Sequence, residues 1–246
     1  MVDVDFLTEV AAWFADPAHW SGRDAIPVRL GEHVLLSGAS LLAGMLIALP
    51  LGLAIGHTGR WAGLVVALTN IGRAVPSVGV LGIAYSLTLP LIVAANLRGI
   101  GNLPTLIALT ALALPPIVLN AYVGIRGVER EIVEAARGMG MSEPQILRRV
   151  EIPIALPVIV AGMRTASLQV IATATLGAVI SAGGLGQYIV TGFALRDLPR
   201  TFAGSLLVIA LIVISEALFA LAQRAAHSPG LRTTRTEEGL TASLAV

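Results

Sequence analysis

The sequence contains no cysteine and no lysine. The first absence excludes disulfides, thiolate zinc sites and cysteine nucleophiles. The second leaves arginine to carry every basic charge, which reads as an Arg- and Ala-rich coding background rather than a functional signal. Charge is scarce altogether: 13% of the 246 residues, against about 25% in a soluble domain whose surface must be solvated. Aromatic residues make up only 4%. The net charge of +1 implies no nucleic-acid-binding surface. What is present is apolar: 56% of residues are hydrophobic and the mean hydropathy is +0.85. Too few charges remain to cover a water-facing shell, so the chain is an integral membrane protein. Asp3, Asp5 and Glu9 stand where a cleavable signal would carry cations, so the N-terminal stretch is not read as one.

A helix needs about 20 largely apolar residues to cross the hydrocarbon core. Residues 34–56 carry no charge and form the first span. Residues 61–97 are apolar but interrupted by Asn70, Arg73 and Pro76; the stretch is long for one helix and cramped for two. We read it as one kinked or broken span over 64–91. The third span lies near 103–123 with Pro115 and Pro116 inside it, the fourth at 156–180, and the fifth at 201–223. Pro153 and Pro157 each suit a first helical turn. Arg164, two turns into the fourth span, is expected to snorkel back to the interface. Glu216 is expected to be neutral or paired with an arginine. The fold class is therefore an all-α integral membrane protein with about five transmembrane helices, or six if 61–97 divides.

Arginine placement near span ends sets orientation. The loop 124–149 holds Arg126, Arg130, Arg137, Arg148 and Arg149, and Arg60, Arg224, Arg232 and Arg235 fall on its side. Acids dominate the segment before the first span, while Arg98, Arg196 and Arg200 are a minority on that side. The expected division is an extracytoplasmic segment 1–32, a membrane domain 33–225 with a cytoplasmic loop 124–153, and a flexible cytoplasmic tail 226–246. No repeat of 20–50 residues supports an inverted-repeat carrier.

The loop carries the strongest pattern. Ile132, Val133, Ala136 and Met139 form one apolar face at helical spacing. Gly138 and Gly140 suit a helix stop. Ser142 then fits an N-cap, with Pro144 in the first turn and Gln145 at N3, and Ile146, Leu147 and Val150 give the second helix an apolar side. Two short helices around a turn make a docking element; an ordinary amphipathic loop lying on the membrane is the bland alternative.

Glu134-Ala135-Ala136, three residues, Gly140, nine residues, then Val150-Glu151-Ile152-Pro153 resembles the EAA motif of type I ABC importer permeases, EAA-x3-G-x9-I-x-L-P. Val150 and Ile152 depart mildly at the Ile and Leu positions. Asn70-Ile-Gly-Arg73-Ala-Val-Pro76-Ser77 looks like the second-span motif of the same permeases. The run from Gln169 through Thr173 and Thr175, Gly183-Gly184-Leu185-Gly186, and Leu195-Arg-Asp-Leu are similar to the osmoprotectant branch. Its substrates are glycine betaine, choline, carnitine and proline compounds. The resemblance covers roughly residues 30–228.

It implies a permease of the bacterial inner (plasma) membrane that pairs with a second copy or a sister permease. The partners would be a cytoplasmic ABC ATPase dimer, an extracytoplasmic substrate-binding protein and the lipid bilayer, with no nucleic acid. No Gly-x4-Gly-Lys-Ser/Thr sequence is present, so no cofactor is assigned to this chain; ATP and Mg would be bound by the partner ATPase. On the family pattern Glu134, Ala135, Ala136, Gly140, Val150, Ile152 and Pro153 would couple to the ATPase. Asn70, Arg73, Pro76, Ser77, Gln169 and Thr173 are candidates for the translocation path or gate, against plain inter-helix hydrogen bonding. Gly183–Gly186 would be a tight outer turn, at the gate on this reading. With few aromatics for cation–π contacts, selectivity would reside largely in the binding protein. A methionine or other amino-acid importer permease is the alternative within the family. A stand-alone secondary carrier is the alternative outside it. No catalytic or metal residues are assigned: His19, His33, His57 and His227 lie outside or at the margins of the spans and show no His-Glu-x-x-His spacing.

Overall fold

The computed structural model describes residues 4–94, 102–180 and 182–226, and these are helical with no strand among them. The helices are α1 (Val4–Ala15), α2 (Ile26–Thr58), α3 (Ala62–Ala74), α4 (Ser77–Ala94), α5 (Leu103–Arg126), α6 (Arg130–Gly138), α7 (Glu143–Ile146), α8 (Ile152–Gly177), α9 (Gly186–Leu195) and α10 (Leu198–Ala226). Among the described residues five helices are long and apolar enough to cross a membrane: α2, α4, α5, the continuous rod Glu143–Ile180 and α10.

α2 begins at Ile26, ahead of the uncharged run at 34–56. Hydropathy stops at Glu32 because it counts charges singly. In the fold Arg29 donates to Glu32 (2.8 Å) and also to Asp24, so the first turns carry a compensated cluster. Gly59, at φ +69, closes the helix with its N–H on the Ile55 carbonyl.

The 61–97 stretch is two helices, not the one broken span read over 64–91. Val75 takes an extended conformation (φ −75, ψ 124), as a residue before proline does, and Pro76 starts α4. α4 is itself long enough to span, whereas α3, with 13 residues, is not. Residues 95–101 lie outside the described residues.

α5 is the central helix, packed against α2, α8, α4 and α3. On α2 the residues Gly44, Ala48, Gly52 and Gly56 recur every fourth position and face α5. A Cβ on Gly44 would lie 2.8 Å from the Ala113 Cβ, one on Gly52 2.6 Å from the Ala121 Cβ, and one on Gly56 2.8 Å from the Ile125 Cβ. Removing side chains at these positions lets two backbones approach where lipid offers no hydrophobic drive to bring them together. The core, including Leu36, Leu109, Ile117, Ala166 and Val170, closes over this contact. Away from it, α1 packs on α10, and Trp13, Ile26, Leu185, Tyr188 and Val208 form a second cluster.

The fourth span is also longer than its hydropathy. α7, a π turn at Leu147–Glu151 and α8 run on as one rod. Pro153 cannot donate to the Arg149 carbonyl and its ring crowds that position. A widened turn just before it accommodates both.

Candidate functional site

The segment between α5 and α8 folds as two short helices around a turn. α6 ends at Gly138, and Gly140 takes φ +84, a conformation in which L side chains are strained. Its N–H donates to the Arg137 carbonyl (3.0 Å) and that of Met141 to the Ala136 carbonyl (3.2 Å). The α7 start is capped as its residues require: the Ser142 N–H donates to the Gln145 side-chain oxygen at 2.9 Å. Ala136 and Ile146 are the buried anchors of the two helices, at 2% and 0% exposure. Glu134, Ala135 and Gly140 are exposed, Val150 and Ile152 half-buried, and Pro153 exposed in the first turn of α8.

A row of charges runs beneath this element. Arg137 donates from Nε and a terminal nitrogen to the two oxygens of Glu143, at 2.8 and 3.1 Å. That carboxylate, hydrogen-bonded alongside, pushes the Arg137 guanidinium above its ordinary range. The Glu143 oxygen that accepts from the Arg137 terminal nitrogen also faces His57 Nε2 (3.3 Å), and His57 Nδ1 meets Glu151 at 2.5 Å. Beside the row opens a polar cavity of about 510 Å³ between the ends of α2 and α5 and the inner face of α6. Its walls include Arg126, Arg130, Glu134, His57 and Glu151. Arginines and carboxylates around open space suit charge-paired docking, not bond-making chemistry.

The path candidates fall on two parts of the bundle. Asn70 is exposed on α3, Pro76 is exposed, and Ser77 opens α4. The Arg73 side chain lies outside the described residues. Gln169 and Thr173 are half-buried one turn apart on α8. Thr175 donates to the Ala172 carbonyl of its own helix (2.6 Å), the ordinary use of threonine there. Gly183 and Gly184, both at φ +77, make the expected tight turn. It is docked on α2, where Glu32 accepts from the Gly184 N–H at 2.8 Å.

Arg164 has partners on α10. It ion-pairs with Glu216 of α10 and donates to the Gln223 side chain at 3.2 Å. It lies about 18 Å along α8 from Ile152, inside a span, and one turn on Ser167 and Ser215 share a hydrogen bond of 2.7 Å. A lone charge at that depth is costly while a matched pair is tolerated. Arg164→Gln or Glu216→Gln alone is therefore expected to lower the yield of monodisperse, detergent-extracted protein several-fold. The double variant should return it to near wild type. A double variant no better than either single one would show that the pair does not matter to folding.

His33 sits inside α2 rather than at its margin. It is 1% exposed, with Nε2 3.0 Å from the Ile171 carbonyl of α8. His227 lies outside the described residues. Sequence reasoning missed the His57–Glu143–Arg137 row, and no local signal marks it. It also missed the α2 stripe, whose four-residue spacing of small residues was readable.

A family model described as "Binding-protein-dependent transport system inner membrane component" matches residues 41–228. The chain is 34% identical over 204 residues to the glycine betaine/carnitine/choline transport system permease protein OpuCB of Bacillus subtilis (strain 168). That match covers 83% of this chain and 89% of the relative. It is 34% identical over 201 residues to the choline transport system permease protein OpuBB of the same organism, covering 82% and 88%. Among solved structures, an inward-facing MetNI methionine ABC transporter superposes with a TM-score of 0.72 at 24% identity, over 87% of this chain and 99% of that one. At that identity the likeness speaks for the fold alone.

Proposed function

Because the chain belongs to the family of binding-protein-dependent transport system inner membrane components, we propose that it serves an importer of osmoprotectants such as glycine betaine, choline, carnitine or proline. It is a multi-pass inner-membrane protein and a transport permease. The observation that carries the substrate class is the run of relatives at 34–35% identity, each named for one or more of these solutes. The methionine alternative is supported by fold likeness only.

In this reading the loop end faces the cytoplasm and the N-terminal end faces outside, as arginine placement favours. An ATPase pair binds α6 and α7, and an external binding protein delivers solute at the opposite end. ATP closes the ATPases, draws the loops of two paired permeases together and turns the path outward; hydrolysis resets it. Glu134, exposed beside Arg137, offers its carboxylate to the ATPase. Ala135 keeps the approach close, and Ala136 seats the helix. Gly140 makes the turn between the two helices. Val150, Ile152 and Pro153 root the loop in α8. Asn70, a polar group left on the outside of a single copy, and the half-buried Ser77 face the path or the second permease. Gln169 and Thr173 provide polar positions along α8.

The test is uptake into proteoliposomes holding the permease, its ATPase and its binding protein. Labelled glycine betaine, choline or carnitine should accumulate only with internal ATP, and methionine should stay at background. Methionine uptake without osmoprotectant uptake overturns the substrate class. Uptake that persists without the ATPase identifies a stand-alone carrier.

A further inference from the structure

His57 and Glu151 meet at the base of the coupling loop, and the loop motif specifies neither. His57 lies in the last turn of α2, 94 residues from Glu151. Glu151 occupies the motif's free position between Val150 and Ile152. It is also the only buried carboxylate among the described residues, at 5% exposure. A buried carboxylate demands a partner, and the fold supplies an imidazole from another span. The other nitrogen of that ring faces Glu143 at the start of α7. Each ring nitrogen thus has a carboxylate within reach, so one side chain of α2 bridges the root of α8 and the start of α7.

The topology gives this contact its meaning. α6 and α7 continue along the chain into α5 and α8, so a displaced loop pulls on those two spans directly. α2 has no such continuity. It meets the loop across the polar cavity that separates the α2 and α5 ends from α6. Among the described residues, the side-chain polar contacts from α2 to the loop and its root run through His57. The joint sits one residue beyond Gly56, where the close α2–α5 contact ends.

We propose that His57 is a positioning residue for coupling: through Glu151 and Glu143 it makes α2 move with the loop when the ATPases close. This rests on the importer reading. Without the joint, the ATPases would still close and hydrolyse ATP, but the α2 end would follow only through its packing on α5 and α8, and the path would switch less often per ATP.

The test uses the reconstituted complex of permease, ATPase and binding protein. His57→Ala and Glu151→Gln should each lower solute imported per ATP hydrolysed by about tenfold, with ATP hydrolysis held within about twofold. The two together should cost no more than either one, since they break a single interaction. The double variant also removes the orphaned charge, so it guards against a single variant that fails to fold. His57→Arg, which keeps a donor for each carboxylate, should recover most of the ratio.

The chain has no cysteine, so Arg60→Cys and Glu131→Cys place two spin labels at unique sites, on the α2 end and on α6. Their distance should be narrow and equal in nucleotide-free and ATP-trapped complexes, and should broaden or shift in His57→Ala. An unchanged distance with an unchanged import-to-ATP ratio overturns the joint. If the wild-type complex imports neither osmoprotectant nor methionine, the importer reading fails, and the label distances decide the joint alone. Distances that His57→Ala disturbs uphold it, and undisturbed ones overturn it.

Discussion

Gly140→Pro should leave the protein inserted in the membrane while import falls by more than about a hundredfold, with the ATPase partner still hydrolysing ATP. Gly140 turns the chain from α6 to α7 at φ +84, and its N–H holds the Arg137 carbonyl. Proline fixes φ near −65° and has no N–H, so both the turn and that hydrogen bond are lost. The spans do not depend on the turn, because the loop helices pack outside the α2–α5–α8 core. Gly140→Ala separates the two causes. A Cβ at this position has nothing within 4 Å, so alanine meets only the cost of the left-handed backbone. That cost, about 1–2 kcal/mol, should reduce import by no more than roughly thirtyfold. Parallel measurements of uptake and ATP hydrolysis in proteoliposomes would check both variants. Normal uptake by the proline variant would remove the loop from the coupling mechanism.

Gly52→Leu should have the opposite character, damaging the bundle and sparing the loop. A Cβ at residue 52 already meets the Ala121 Cβ at 2.6 Å and the Val118 carbonyl oxygen at 2.8 Å. The second is backbone and cannot rotate away, so α2 must lift from α5. Overpacking of this kind costs about 3 kcal/mol or more, equivalent to roughly 6–12 °C in Tm for a chain of this size. Thermal unfolding in detergent, followed by size-exclusion chromatography, measures the shift. Gly38→Leu is the control on the same helix: its Cβ would enter open space, and Tm should hold or rise slightly. A matching loss at both positions would mean that helix composition, not the α2–α5 contact, governs stability.

The elements legible in the sequence are those written in short range. Each span announces itself as about twenty apolar residues because hydrocarbon admits nothing else. The loop reads correctly for the same kind of reason: Ser142 with Gln145, Gly140, and the anchors Ala136 and Ile146 all act within a few residues of themselves. Pro76 marks the break between α3 and α4. It does not by itself separate one bent span from two helices, because that depends on how α3 lies against α5. Hydropathy ended the first span too late at its start, since Arg29 and Glu32 cancel only once they face each other.

Taken alone, the chain determined its solvent, the number of its spans and the form of the loop between α5 and α8, all consequences of apolar length, capping and one left-handed glycine. Only the tertiary structure decided that Arg164 pairs with Glu216, 52 residues away. It also set Gly52 against Ala121 and joined His57 to Glu151 across 94 residues. Local patterns carry helix type because hydrogen bonding and capping reach only a turn or so along the chain. Which charge meets which, and which backbones touch, is set by how the helices pack, and no run of neighbouring residues encodes that.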